Sequence, residues 1–326
     1  MAKYQKIIIS ILLAVILVIL LLIPININDL VRVIKKIDFT WLVLAFLSYI
    51  LLYIFRALRF KLLLDNKIKS WRIFDIVCLH NLLINILPLR SGELSYLYLI
   101  KKTGQIKTGQ NISSLIVARF FDFLAIIILI FISLCFVCQS ISQRILINIL
   151  LVGLFIFLFL IILSFLVLFK TAMIKKPADY LIERTFLKKL KIMKFIRQKT
   201  DEVLEAIQAL KSKKIFSFLF LGSLSIWLLF YLVDFLLLKG LGLNMGFWSV
   251  VFATSFVILM AISPIQGIAG FGTAETGWVI GLVILGFPKE TAIVSGFALH
   301  LLGLFLAIIM GMWGIKFFYE KSNLKN

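Results

Sequence analysis

The stretch that decides the fold is Ser263-Pro-Ile-Gln-Gly-Ile-Ala-Gly-Phe-Gly-Thr-Ala-Glu275, which interrupts an otherwise apolar segment from Trp248 to Phe287. Proline removes a backbone hydrogen-bond donor and glycine raises the entropy cost of a helix, so the stretch predicts a helix break. Glu275 places a carboxylate near the middle of this apolar segment. Half-helices that meet at such a break commonly form the sites of secondary transporters. The alternative interpretation is a kinked structural helix in which a neighbour satisfies Glu275.

Composition identifies the chain as a membrane protein. Of its 326 residues 62% are hydrophobic and the mean hydropathy is +1.11, far above soluble domains. Several apolar segments reach the about 20 residues that a membrane-spanning helix needs, which predicts an all-α polytopic protein. The net charge of +20 comes from Lys and Arg residues whose placement in the loops is explained by membrane topology, so we expect no nucleic-acid partner. No metal-ligand or nucleophile–base motif is present, so no metal, cofactor or catalytic residue is expected.

The spacing of apolar and basic segments predicts six full spans and a first re-entrant hairpin. The spans are predicted at residues 7–23, 40–60, 112–138, 145–169, 216–238 and 291–318. Basic residues flank the segment 73–100 on both sides; they are Arg56, Arg59, Lys61, Lys67, Lys69 and Arg72 before it and Lys101, Lys102 and Lys107 after it. Positive flanks face the cytoplasm, and two crossings would need about 40 residues. The segment is therefore predicted to turn back at Pro88–Gly92.

The same reasoning predicts a second hairpin and the orientation of the chain. Residues 247–287 contain the break quoted above and are predicted to enter from the outside. Both termini are then cytoplasmic and the protein lies in the cell membrane. Residues 170–214 form a long basic segment that is predicted to lie on anionic lipids of the inner leaflet. A simple solvated cytoplasmic loop is the alternative.

An internal repeat relates the two hairpins. A shift of 182 residues brings Glu93 onto Glu275, and Phe123–Ile127 onto Phe305–Ile309 without a mismatch. The predicted topology runs the two units in opposite directions, which is typical of transporters built from inverted repeats. We therefore predict one transmembrane domain over residues 1–326, with a first repeat at about 40–138 and a second at about 215–318.

Ionisable residues within the predicted membrane segments need partners, because each costs about 2.5–3.5 kcal/mol near the bilayer centre. Arg90 with Glu93, and Arg119 with Asp122, are each three residues apart and could form local structural ion pairs. Alternatively the arginines bind a headgroup phosphate, assisted by backbone N–H groups after Gly92 and Gly272. The candidate headgroup-binding residues are Arg90, Gly92, Glu93, Arg119, Asp122, Gly270, Gly272 and Glu275, with Asn85 and His300 as secondary candidates. His300 is more typical of a buried, hydrogen-bonded histidine than of a proton carrier.

These motifs resemble the transmembrane region of lysylphosphatidylglycerol synthases and their stand-alone, flippase-like relatives. The residues that carry the resemblance are Asn85, Pro88, Arg90, Gly92 and Glu93 in the first half, Arg119 and Asp122 in the next span, and Pro264, Gly267, Gly270 and Glu275 in the second half. The resemblance covers nearly the whole chain and implies a protein that moves or displays polar lipids. Bifunctional members of the family attach lysine to phosphatidylglycerol with a further soluble domain. We expect that domain to be absent, so the protein is not expected to be an enzyme of that type.

The function predicted from the sequence is a lipid flippase or transporter, with membrane lipids, chiefly anionic, as its partners. One alternative is an enzyme or enzyme subunit that acts on a phospholipid or a lipid-linked sugar, with Glu93 and Glu275 as acid or base. Another is a membrane partner that recruits a soluble synthase or glycosyltransferase. A homo-oligomer is compatible with all three.

Overall fold

A computed structural model describes residues 32–87, 91–169, 213–262 and 268–322. Within these ranges the protein is helical and contains no strand, which confirms the predicted all-α class. The described helices of 11 or more residues are, in chain order, α1 (Phe39–Leu63), α2 (Ser70–Ile86), α3 (Glu93–Thr103), α4 (Thr108–Val137), α5 (Gln143–Phe169), α6 (Lys213–Gly240), α7 (Phe247–Ile262), α8 (Thr273–Ile284) and α9 (Lys289–Ser322). Short 3-10 turns lie at Cys138–Ser140 and Ile268–Gly270.

Four helices of the described ranges are long and apolar enough to cross a membrane. They lie at Phe39–Leu63, Thr108–Ser140, Lys214–Gly240 and Lys289–Ile315, where four of the six spans are predicted. The predicted span at residues 145–169 falls on helix α5. The predicted span at residues 7–23 and the basic segment 170–214, up to residue 212, lie outside the described residues.

Both predicted breaks interrupt the helices. Helix α2 ends at Ile86 and Leu87 is extended (φ −78°, ψ 134°), as expected for a chain approaching Pro88. Helix α7 ends at Ile262, and Gly270 and Gly272 have φ of 76° and 80° before α8 begins. These positive φ angles suit glycine and are costly for other residues. With 17, 11, 16 and 12 residues, α2, α3, α7 and α8 are each shorter than the about 20 residues of a full crossing.

Each broken segment folds back on itself as an antiparallel helix pair. Gly277 of α8 lies so close to α7 that a Cβ there would be 2.7 Å from the Phe256 carbonyl oxygen. A Cβ on Gly281 would likewise be 2.6 Å from the Ala253 Cα. In the first pair, a Cβ on Gly92 would be 2.5 Å from the Ile84 Cα. Glycine therefore permits the close approach of the two helices in both pairs.

The flanks of the first helix pair lie at the same end of the bundle. Gln110, at the start of α4, donates from Nε2 to the Asp65 carboxylate at 2.7 Å. The Lys67 ammonium donates to the Gln110 side-chain oxygen at 3.0 Å. Asp65 and Lys67 precede α2 and Gln110 follows α3, so the α2–α3 pair begins and ends at one side, as the predicted hairpin requires.

Long helices from both halves of the chain form the centre of the bundle. Helix α1 packs against α6, α2 against α9, and α7 against α4. One apolar core cluster joins them, with Tyr53, Tyr96, Phe252 and Leu306 among its buried members. Helix α2 also contacts the turn Ile268–Gly270, so the break of the second hairpin lies against the first. The fold therefore brings the two interrupted segments together inside one bundle.

We expect Gly277→Ala to destabilise the protein, because the added methyl group meets the backbone of α7 rather than a movable side chain. Overpacking of this kind typically costs about 1–3 kcal/mol. Thermal denaturation in a single detergent measures the loss. Gly303→Ala on α9 is the matched control, because a Cβ there meets nothing within 4 Å, and alanine favours a helix. Equal midpoints for the two variants would contradict the proposed close packing of α7 and α8.

Candidate functional site

Asp122 is the centre of a buried polar network between α1, α4 and α6. Its two carboxylate oxygens accept hydrogen bonds from the Arg59 guanidinium at 2.5 and 3.2 Å. Trp227 of α6 donates from its indole nitrogen to the same carboxylate at 2.9 Å. Arg59 also donates to the Ser223 hydroxyl at 2.7 Å. The side chains of Arg59 and Asp122 are only 3% and 6% exposed, so this charge pair is withdrawn from solvent and ties three helices together.

Arg119 extends this network to the first hairpin. It donates to the Asp122 carboxylate at 3.3 Å, which is the local pair predicted from their spacing. Its shorter contact runs to Glu93 at the start of α3, at 2.8 Å. The side chains of Arg119 and Glu93 are 34% and 21% exposed, so this end of the network is the accessible one. Arg90, which was the predicted local partner of Glu93, lies outside the described residues.

Arg56 adds a third cation one turn before Arg59 on α1. It is half-buried and donates to the side-chain oxygen of Asn81 on α2. Asn81 is itself held by a bond from its amide to the Val77 carbonyl at 2.8 Å. Among the described residues no carboxylate lies within the 4.0 Å of a salt bridge to Arg56. We call Arg56, Arg59, Glu93, Arg119 and Asp122 the arginine cluster; it holds three cations and two anions.

The second hairpin uses its glutamate differently. Glu275 is fully buried, and one of its carboxylate oxygens accepts the backbone N–H of Gly272 at 2.7 Å. This bond caps the first turn of α8, where a carboxylate also suits the helix dipole. The Gly272 N–H is thus occupied and does not point to a ligand. The other carboxylate oxygen lies 2.5 Å from Nδ1 of His300 on α9.

His300 links the break to the last helix. Its Nε2 lies 2.8 Å from the carbonyl oxygen of Ala269, a residue with a φ of 54° inside the break. The Phe271 ring packs against the imidazole with a centroid distance of 4.6 Å. His300 is therefore a hydrogen-bonded, partly buried histidine, as predicted, and Glu275 has the neighbour that the structural interpretation requires.

The predicted residues thus form two separate groups. Glu93, Arg119 and Asp122 belong to the arginine cluster, whereas Gly270, Gly272, Glu275 and His300 surround the second break. Gly92 lies at the tight contact of α2 with α3. Asn85 donates to the Asn81 carbonyl at 2.8 Å and so lies next to the partner of Arg56. Across the described ranges, no hydrogen bond joins Glu275 or His300 to an arginine of the cluster.

Sequence reasoning missed Arg56 and Arg59, which it counted with the basic flank of α1. Both belong to α1, which extends to Leu63, and Arg59 is buried rather than exposed to the cytoplasm. A usable signal was present, because arginines three apart near the end of a span face the same side of a helix. Asp122, the partner of Arg59, is 63 positions away from it in the sequence, and that separation carries no local pattern. Within the described residues, no group of three or more His, Cys, Asp or Glu side chains could hold a metal ion.

Comparison with known proteins identifies the family. A search of curated proteins finds no match for this chain. The sequence model described as "Lysylphosphatidylglycerol synthase TM region" matches residues 7–311, which is nearly the whole chain and includes both broken helix pairs. The match agrees with the resemblance carried by Arg119, Asp122 and the glutamates of the two hairpins. The chain belongs to the family of the lysylphosphatidylglycerol synthase transmembrane region.

Proposed function

We propose that this protein is a flippase that moves a polar lipid with an anionic headgroup across the cell membrane. The observation that carries the proposal is the arginine cluster, in which, among the residues that the structure describes, three guanidinium groups face two carboxylates inside an apolar bundle. Each ionisable group in a membrane interior is costly, and such groups commonly mark a substrate or ion pathway. An anionic headgroup would supply the missing negative charge.

Two arginines are suited to contact the headgroup directly. Arg119 is one-third exposed and its partner Glu93 is also partly exposed, so a phosphate can reach this pair and compete with the Glu93 carboxylate. Arg56 has the Asn81 amide as its partner and keeps donors for an added anion. Guanidinium groups bind phosphate with two parallel hydrogen bonds, which makes arginine suited to this task. Arg59 is buried and donates to Asp122 and Ser223, and we assign it the role of holding the cluster in place.

We further propose that the two halves are inverted repeats that rock against each other. In support, the shift of 182 residues brings α1 to α4 onto α6 to α9 in order. The contacts of α2 with α9 and of α7 with α4 are then equivalent, as are those of α2 with α3 and α7 with α8. Glu93 pairs with a cation of α4 and Glu275 with a histidine of α9 at the corresponding turn. Alternating exposure of a central site by inverted repeats is a common transport mechanism.

The proposed orientation places both termini and the basic segment 170–214 in the cytoplasm, where that segment would bind anionic lipid or a soluble lipid-modifying enzyme. Single cysteines at Lys67 and Lys101 test this orientation; both positions are exposed and flank the first hairpin. A membrane-impermeant maleimide should label both from the cytoplasmic side only. Labelling of the two positions from opposite sides would exclude the re-entrant hairpin and with it the inverted repeat.

Reconstitution tests the transport activity itself. Purified protein is placed in liposomes that carry fluorescent phosphatidylglycerol, and the label in the outer leaflet is quenched chemically over time. A flippase should make the inner-leaflet label accessible much faster than in protein-free liposomes. Accessibility equal to that of protein-free liposomes for every lipid tested would reject the proposed function and favour the recruitment of a soluble enzyme.

A further inference from the structure

The contacts of His300 determine which of its ring nitrogens carries a proton. The Ala269 carbonyl oxygen can only accept a hydrogen bond, so Nε2, at 2.8 Å from it, must be the donor. Nδ1 faces the Glu275 carboxylate at 2.5 Å. The other carboxylate oxygen is already an acceptor for the Gly272 N–H. The contact whose donor these bonds leave open is the one between Nδ1 and the Glu275 carboxylate.

That last contact needs a proton. If Nδ1 carries it, the pair is an imidazolium beside a carboxylate; if the carboxyl group carries it, the pair is a neutral imidazole beside a carboxylic acid. With neither protonated, lone pairs of Nδ1 and the carboxylate oxygen would face each other at 2.5 Å, which is repulsive. The contact between Glu275 and His300 therefore exists only while the pair holds a proton in addition to the one on Nε2.

The corresponding pair of the first half lacks this property. Glu93 contacts the Arg119 guanidinium, which stays protonated at every pH that proteins tolerate. The first hairpin is thus held to α4 by a permanent charge, whereas the second is held to α9 by a removable proton. This difference between otherwise corresponding positions makes the second hairpin the one that can respond to proton transfer.

Other charged groups lie on α8, α9 and the helices that pack against them. Helix α7 carries no charged residue. Helix α6 carries Asp234, whose carboxylate accepts a hydrogen bond from the Thr254 hydroxyl at 2.9 Å. Helix α2 carries Arg72, Asp75 and His80, and the His80 ring contacts the Ser95 hydroxyl at 2.8 Å. On α1, Arg56 and Arg59 belong to the arginine cluster. Lys214 and Lys239 lie at the two ends of α6, Lys61 in the last turn of α1, and Lys289 and Glu290 at the start of α9. Within the described part of the chain, none of these groups hydrogen-bonds to Glu275 or His300.

We propose that Glu275 and His300 form a proton-binding site, and that release of its proton separates the second hairpin from α9 and couples lipid movement to proton transfer. The coupling rests on the proposed flippase function; the proton site does not. On release the proton passes to water, leaving an ionised Glu275 and a neutral imidazole that keeps its Nε2 proton. Glu275 is fully buried and the His300 side chain is only 14% exposed, so movement of the hairpin would open the shared proton to water. Movement and proton release are then one step.

Nuclear magnetic resonance of the histidine nitrogens tests the proton site directly. The chain has two histidines, so His80→Gln leaves His300 as the only imidazole signal. We expect Nε2 to stay protonated and the Nδ1 signal to change when the pair loses its extra proton as the pH is raised. The titration should change in His80→Gln/Glu275→Gln, because the partner carboxylate is removed. A Nδ1 signal that does not titrate, or one that is unchanged by Glu275→Gln, would overturn the proton site.

Transport under an imposed pH gradient tests the coupling. The expected change in initial rate on reversing the gradient is on the order of tenfold for the wild type. His300→Arg gives the second half the fixed cation of the first, so the rate of this variant should no longer respond to the gradient. A wild-type rate that ignores the gradient would overturn the coupling while leaving the flippase function intact. Absence of any lipid movement would reject the flippase function and the coupling, and the nitrogen titration would still decide the proton site.

Discussion

Replacing Asp122 by alanine is expected to cause a large loss of stability. The Arg59 guanidinium, 3% exposed, would lose two of its hydrogen bonds, and the Trp227 indole would lose its acceptor. Removing one partner of a buried ion pair strands the other charge and typically costs about 3–5 kcal/mol. Thermal denaturation of the purified variant in the detergent used for the wild type measures this loss.

The double variant Arg59→Met/Asp122→Leu is the matched control. Apolar residues of similar volume leave no charge unpaired, and such replacements are often neutral or stabilising. We therefore expect the double variant to recover most of the stability that Asp122→Ala loses. Full stability of Asp122→Ala would contradict the buried network, and a double variant as unstable as the single one would show that the pair is not the cause.

Local chemistry made the helix breaks predictable. Proline and glycine act on the backbone of their own neighbourhood, so the ends of α2 and α7 could be predicted before Pro88 and Pro264. The lengths of the apolar segments and their basic flanks likewise predicted the four long apolar helices of the described ranges, and also helix α5. The exact ends differ by a few residues, because apolar composition does not show where capping contacts stop a helix.

Contacts between distant helices could not be predicted in this way. The sequence predicted Arg90 as the partner of Glu93, because spacing within a helix reports only on neighbours along the chain. In the structure Glu93 forms a salt bridge with Arg119, 26 positions further on, and Asp122 forms one with Arg59 on another helix. Both pairs depend on how α1, α3 and α4 meet in the bundle. Likewise His300 was recognised as a buried histidine, but its pairing with Glu275 required the packing of α8 on α9.

Replacing Arg56 by glutamine is expected to abolish the preference for anionic lipid while preserving the fold. Glutamine keeps a donor for the Asn81 oxygen but removes the cation for which the described part of the chain shows no carboxylate partner. The cluster would then hold two cations and two anions, and an anionic headgroup would meet no excess charge. Exposed Arg144 on α5, outside the cluster, provides the control substitution Arg144→Gln. Thermal stability of both variants should remain within about 1 kcal/mol of the wild type.

The most direct test of the central claim is the ratio of initial transport rates for phosphatidylglycerol and phosphatidylcholine in the same proteoliposomes. We predict a ratio of about ten or more for the wild type and for Arg144→Gln, corresponding to at least about 1.4 kcal/mol of discrimination by the excess cation. For Arg56→Gln the ratio should fall towards one. A wild type that moves both lipids equally, or an Arg56→Gln protein that keeps the wild-type ratio, would contradict the claim that the arginine cluster selects and carries an anionic headgroup.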